Sequence, residues 1–79
     1  MREHAVSFAE AATVLSDEHA LTREDNDAVG EQRFVTMGLS ATGQLLIVVF
    51  AHRDIDVYRL ISAWKANRSQ RNLYEKGRR

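Results

Sequence analysis

The sequence predicts a single small α+β domain over residues 1–79, an antiparallel β-meander with a short N-terminal helix and a basic C-terminal helix. Three observations predict it. Residues Leu45 to Phe50 are apolar without a break, and Ile47, Val48 and Val49 among them are β-branched. Runs rich in strand-forming residues lie on either side, each set off by turn residues. Two capping-box patterns, Ser7 with Glu10 and Asn67 with Gln70, bracket these strands.

Taken in order, Ser7 reads as an N-cap and Val6 with Ala11 as a hydrophobic staple. Phe8, Ala11, Ala12 and Leu15 fall at helical spacing, which predicts a helix from Phe8 to Ser16 with its apolar stripe on the sheet. Residues 1–6 show no clear element. His19 to Thr22 reads as a short strand. Arg23 to Gly30 is polar and reads as a loop; its Glu24, Asp25 and Asp27 match no complete calcium loop. Arg33 to Leu39 predicts a strand, Ser40 to Gly43 a four-residue turn, and residues 44–53 the central strand. That strand is apolar on both alternating faces and far short of the ~20 residues of a membrane span, so it should be covered on both sides. Asp54 and Asp56 mark the next turn, and Val57 to Ala63 the last strand. The closing helix should run from Arg68 to Lys76. Gly77 would follow as its C′ residue, with Lys76, Arg78 and Arg79 at its negative end.

At this length the core is thin, because a chain of this size buries only about 60–65% of its unfolded surface. There is no Cys, so neither a disulfide nor a thiolate metal site adds stability. With no signal peptide or transmembrane run, the expectation is a soluble cytoplasmic protein without a membrane partner. The net charge of zero conceals an asymmetry. Residues 1–43 hold eight acids against three bases, a net of −5, and residues 44–79 hold eight bases against three acids, a net of +5. A basic second half suits an anionic partner such as nucleic acid, or else a solvated basic helix.

If Leu39 pairs with Gln44 and Arg53 with Asp56, then Arg33, His52 and Arg59 share one face around Phe50, with Arg53 on the other. Two arginines and a histidine at a sheet edge could grip a phosphate and move a proton. The plainer reading lays both arginine stems along the apolar face with their heads in water. His4, His19 and His52 lack metal-ligand spacing, and no phosphate-binding glycine loop or nucleophile motif occurs, so no cofactor is expected. Trp64 ends the last strand as a packing residue, or as a surface for a base.

Several segments resemble the BrnT toxin family. His4-Ala5-Val6-Ser7-Phe8-Ala9-Glu10-Ala11 is similar to its "KHGVSFEEA" signature, Gly30 to Gly38 to its "GEeRfvtiG" segment, and Arg59-Leu60-Ile61-Ser62-Ala63 to its "R-I-I-S-A-R" strand. Lys65-Ala66-Asn67 through Tyr74-Glu75 resembles its closing helix. The resemblance implies a RelE-like toxin of a type II toxin–antitoxin pair, a metal-independent ribonuclease that stops translation. Taken with the register reading, it makes Arg33, Arg53, Arg59 and His52 the expected catalytic residues and Lys65, Trp64, Arg68 and Arg71 the expected RNA contacts. It further implies a BrnA-like ribbon-helix-helix antitoxin, contact with operator DNA through that antitoxin, and assembly as a homodimer or a toxin–antitoxin heterotetramer. Met1 falls just before the "KHGV" position, so the family's "WDxxKxxxN" segment, with its first strand and helix, is expected to be missing. Trp64 replaces the last Arg of the "ISAR" strand, Ala5 replaces a Gly, and Asn67 and Gln70 replace the Thr and Glu of the closing cap. These changes leave a second reading, a degenerate member that binds its antitoxin and cuts nothing.

Overall fold

The computed structural model describes residues 2–3, 6–25, 32–54 and 57–77, with backbone alone at residues 2, 3, 53 and 54. The acidic stretch from Asn26 to Gly30, the turn residue Asp56 and the terminal Arg78 and Arg79 lie outside the described residues. Two short strands, β1 (Arg2–Glu3) and β2 (Val6–Ser7), pair antiparallel where no element was expected. Helix α1 (Phe8–Thr13) follows and tightens into a 3₁₀ turn over Val14–Ser16. Strands β3 (Leu21–Glu24), β4 (Arg33–Leu39), β5 (Leu45–Asp54) and β6 (Val57–Lys65) form one antiparallel sheet in sequence order, and α2 (Arg68–Gly77) closes the fold. The α+β meander is as the sequence predicts. The first sheet strand extends through Arg23 and Glu24, which the sequence placed in a loop, because both pair with β4.

Both helix starts follow from their caps. Ser7 Oγ accepts from Glu10 N at 3.1 Å. At α2 the box is reciprocal: Gln70 N donates to Asn67 Oδ1 and Asn67 N donates to Gln70 Oε1, each at 2.8 Å. At α1 the carboxylate of Glu10 goes elsewhere, accepting from the hydroxyls of Thr42 and of Ser40, the latter at 2.8 Å. Ala41 N donates to Thr13 Oγ1 at 2.8 Å, so α1 is tethered to the β4–β5 turn. The Thr42 and Ser40 hydroxyls hold the Glu10 carboxyl below its ordinary value, against partial desolvation, and the charge of Lys65 acts in the same direction.

The register corrects the sequence reading by one residue. Leu39 pairs with Leu45, Met37 with Ile47, Val35 with Val49 and Arg33 with Ala51. The cause is the turn. Gly43 N donates to Ser40 O, Ser40 N donates to Gln44 O, and Gly43 takes φ +84°. A tight turn followed by a left-handed glycine inserts one extra residue, and Gly tolerates that φ without strain. Two irregularities then shape the β5–β6 pair. Ile61 stands unmatched between Val49/Ser62 and Phe50/Leu60, and Arg53 stands unmatched between His52/Tyr58 and Asp54/Val57.

The alternation of β5 fills two cores. On one face Leu46, Val48 and Ala63 pack with Val6, Ala11 and Val14 from the N-terminal layer. On the other, Met37, Leu45 and Ile47 pack with Tyr74 of α2. The central strand is thus covered on both sides, as its unbroken apolar run predicts.

Asp17 joins the two layers at the edge of β4. Beyond Met37, β4 has no β3 partner. Asp17 Oδ2 accepts the Leu39 N–H at 2.8 Å and the Tyr74 O–H at 2.5 Å, while its Oδ1 accepts the His19 N–H at 3.0 Å. Gly38 makes room for this carboxylate: a Cβ there would stand 3.0 Å from Asp17 Oδ2 and from Val14 Cγ1. Partial burial pushes the Asp17 carboxyl up, but the bonds from Tyr74, Leu39 and His19 outweigh it and leave the group below its ordinary value of 3.8.

Two outcomes follow. Tyr74→Phe keeps the ring in its core and removes only the O–H; we expect a loss of roughly 1.5–3 kcal/mol in urea unfolding, the range for a hydrogen bond to a charged group. Because the folded pKa of Asp17 is depressed, the unfolded state binds the extra proton as pH falls. The clip's stabilisation is therefore complete above 3.8 and is lost as pH falls through the folded value. Asp17→Asn should lower stability at neutral pH and flatten the acid limb of a plot of thermal midpoint against pH. An acid limb as steep as that of the unmodified chain would show that the proton binds elsewhere.

Candidate functional site

Helix α2 covers only part of its face of the sheet. Tyr74 is its single buried residue, 1% exposed, and seats the helix over Met37, Leu45 and Ile47. The same face continues beyond the helix in two rows of paired residues. One row is Arg23, Val35, Val49 and Ser62; the next is Arg33, Ala51 and Arg59. Directly paired residues share a face, so Arg23, Arg33 and Arg59 all rise from this open half of the sheet. Adjacent strands are about 4.8 Å apart, which puts the Arg33 and Arg59 backbones about 10 Å apart across Ala51.

Between α2 and the arginines lies a groove of about 410 Å³. Val35, Met37 and Ile47 floor it. Leu21, Thr22 and Arg23 wall it on β3, Trp64 on β6, and Gln70 with Leu73 on α2. Leu73 is 59% exposed at the rim. Arg33 is half-buried, with its Nε shut off from solvent, and Arg59 is exposed. An apolar floor with Arg23 on its wall, on a sheet face that also carries Arg33 and Arg59, can hold a flat apolar ring and grip the anions attached to it.

The sequence brought Arg33 and Arg59 to one face, and they are on one face, though around Ala51 and not Phe50. His52 is not with them. It pairs with Tyr58 and stacks on its ring at 4.9 Å, on the α1 side. Phe50 meets Tyr58 edge-on at 5.4 Å and Phe34 in a stack at 5.5 Å, so His52 ends an aromatic row on the opposite face. The expected cluster of Arg33, His52 and Arg59 is therefore corrected: the register shift moved both arginines and left His52 behind. Arg53 occupies the irregularity of β5, where only the backbone is described. Lys65 pairs with Leu46 and lies on the α1 side within reach of the Glu10 charge. Arg68 and Arg71 are exposed on α2 and do not line the groove. Trp64 pairs with Ile47; it packs against the α2 core, as the packing reading has it, and it also walls the groove.

Two residues of the groove escaped the sequence reading. Arg23 sat in a segment read as a loop, because Thr22-Arg23-Glu24 is polar throughout and no alternation carries the strand past Leu21. Gln70 was read only as half of a cap. A second concavity of about 290 Å³ lies on the α1 side between Leu15, Ala20, Phe50 and Tyr58, and among the described residues no cation lines it. Among the described residues no three of His, Asp and Glu converge, and no helix is long and apolar enough to cross a membrane.

No curated protein sequence matches the chain. Residues 1–70, which include β1 to β6 and the start of α2, match a family described as the ribonuclease toxin BrnT of type II toxin–antitoxin systems. The chain belongs to the BrnT family, and with it to the ribonuclease toxins that act on RNA and are held by a partner antitoxin.

Proposed function

We propose that this chain is an active, metal-independent endoribonuclease that stops translation, and that it cuts RNA on the open half of the α2 face. The observation that carries this reading is the alignment of Arg23, Arg33 and Arg59 beside an apolar groove on one face of the sheet. The guanidinium groups of these residues supply charge and forked donors. In the proposed step the ribose 2′-oxygen attacks the adjacent phosphorus and the bond to the 5′-oxygen breaks. The products are a 2′,3′-cyclic phosphate and a free 5′-hydroxyl. The proton leaves the attacking oxygen and one is returned to the departing oxygen, while Arg33 and Arg59 balance the charge that builds on the phosphoryl oxygens.

Membership of the family supports an antitoxin as partner. We assign it the BrnA-like ribbon-helix-helix class, with operator DNA reached through the antitoxin in a toxin–antitoxin heterotetramer. The exposed Leu73 at the groove rim favours an antitoxin that covers this same face and so blocks RNA.

The test is cleavage of a messenger RNA by the purified chain, with synthesis in a cell-free extract as the second readout. Arg33→Ala and Arg59→Ala should each cut the rate by about 10²–10³, the usual loss on removing one charge-stabilising donor. His52→Ala should leave it within a few-fold. A large loss with His52→Ala and none with the arginines would move the chemistry to the α1 side. A folded chain that neither cleaves RNA nor inhibits synthesis would leave antitoxin binding as its function. Restoring an arginine at the end of β6, as Trp64→Arg, separates these cases: cleavage by that variant alone would mean that the fold is intact and the chemistry was lost at one position.

A further inference from the structure

Gln70 has a role beyond its cap. Its Oε1 is committed, since it accepts the Asn67 N–H at 2.8 Å. That bond settles which end of the amide is oxygen, because an N–H must donate to it. The Nε2 end is therefore the donor, in a residue that is half-buried and lines the groove. Across the groove stand Trp64 and the apolar floor of Val35 and Ile47, with Arg23 on the far wall. A flat ring, an oriented donor and a nearby cation are what an unpaired nucleobase needs from its site: an apolar slot, a partner for its polar edge and an anchor for its phosphate.

We propose that this groove holds one unpaired base of the RNA, and that Gln70 selects bases carrying a carbonyl, not an amino group, on the edge facing α2. The proposal rests on the RNA reading above and names its specificity. Uracil at position 4 and guanine at position 6 present a carbonyl oxygen, which accepts from the amide of Gln70. Cytosine and adenine present an amino group at the same places, and two donors would then face each other with neither satisfied. The asymmetry matters because the groove is apolar, so an unmatched donor there costs more than a missing contact in water. The resemblance to the BrnT closing helix sharpens the point, since its Glu at this position would present oxygen where Gln70 presents N–H.

Trp64 is the only tryptophan of the chain, and it walls the groove, so its fluorescence reports occupancy directly. The experiment titrates the intact chain with short single-stranded homopolymers, comparing uridylate with cytidylate and inosinate with adenylate. Each pair differs at the edge in question. The unmodified chain should favour uridylate and inosinate by about tenfold, the worth of one matched hydrogen bond. Gln70→Glu retains an oxygen for the Asn67 N–H, so the helix start survives. It replaces the donor with an acceptor, and the preference should reverse toward cytidylate and adenylate. The added negative charge will weaken binding of all four, so the ratios carry the result. Equal binding of all four by the unmodified chain, or a preference that Gln70→Glu leaves unchanged, would overturn the role of Gln70 and leave the ribonuclease reading intact. Absence of binding to any of them, with no cleavage of messenger RNA, would remove both.

Discussion

One carboxylate decides where the closing helix sits. Helix α2 is polar around most of its circumference and buries only Tyr74. A helix with so little apolar contact has no strong preference for one place on a sheet. The Tyr74 hydroxyl finds Asp17 Oδ2 at the exposed edge of β4, and the same oxygen takes the Leu39 N–H that β3 is too short to reach. Gly38 keeps the approach open. The N-terminal layer, the sheet and the closing helix therefore meet at one atom. Moving it would change the width of the groove, because the Gln70 and Leu73 wall travels with Tyr74.

Most of the elements were legible in the sequence, though β1, β2 and the Arg23–Glu24 end of β3 were not. The apolar run of β5, the caps at Ser7 and Asn67, and the turn before Gly43 each rest on local chemistry that a few neighbouring residues determine. Register does not. Whether Leu39 faces Gln44 or Leu45 depends on the backbone of a single residue, and Gly43 in the left-handed region inserts the extra position. Because strand side chains alternate, that one position exchanges every residue of β4 between the two faces of β5.

The arginine pair survived this error for a physical reason. Arg33 and Arg59 were both set opposite Phe50, and both moved to Ala51 when the pairing shifted on each side of β5. Two displacements of the same sense preserve a relation between the outer strands and destroy any relation to the strand between them. His52 belongs to that middle strand, so it was separated from the arginines and joined Tyr58 and Phe50 on the other face. Arg23 and Gln70 were missed because their first roles were plausible and complete: a polar loop residue and a helix cap. A side chain that satisfies one local pattern gives no sign in the sequence that its other end is free to meet a ligand.

The asymmetric charge of the chain also takes its meaning from the fold. Two acids of the first half are engaged away from the arginines, while Asp25 stands opposite Arg33, to whose carbonyl its N–H donates at 2.8 Å. Glu10 spends its carboxylate on the hydroxyls of the β4–β5 turn, and Asp17 spends its own on the edge of β4. Both are thereby held charged and turned away from the open half of the α2 face. Arg23 comes from the acidic half of the sequence, and pairing of β3 with β4 carries it to the same face as Arg33 and Arg59. A chain with no net charge thus gathers three arginines on one face of its sheet, and local field, not total charge, sets how such a face meets an anion.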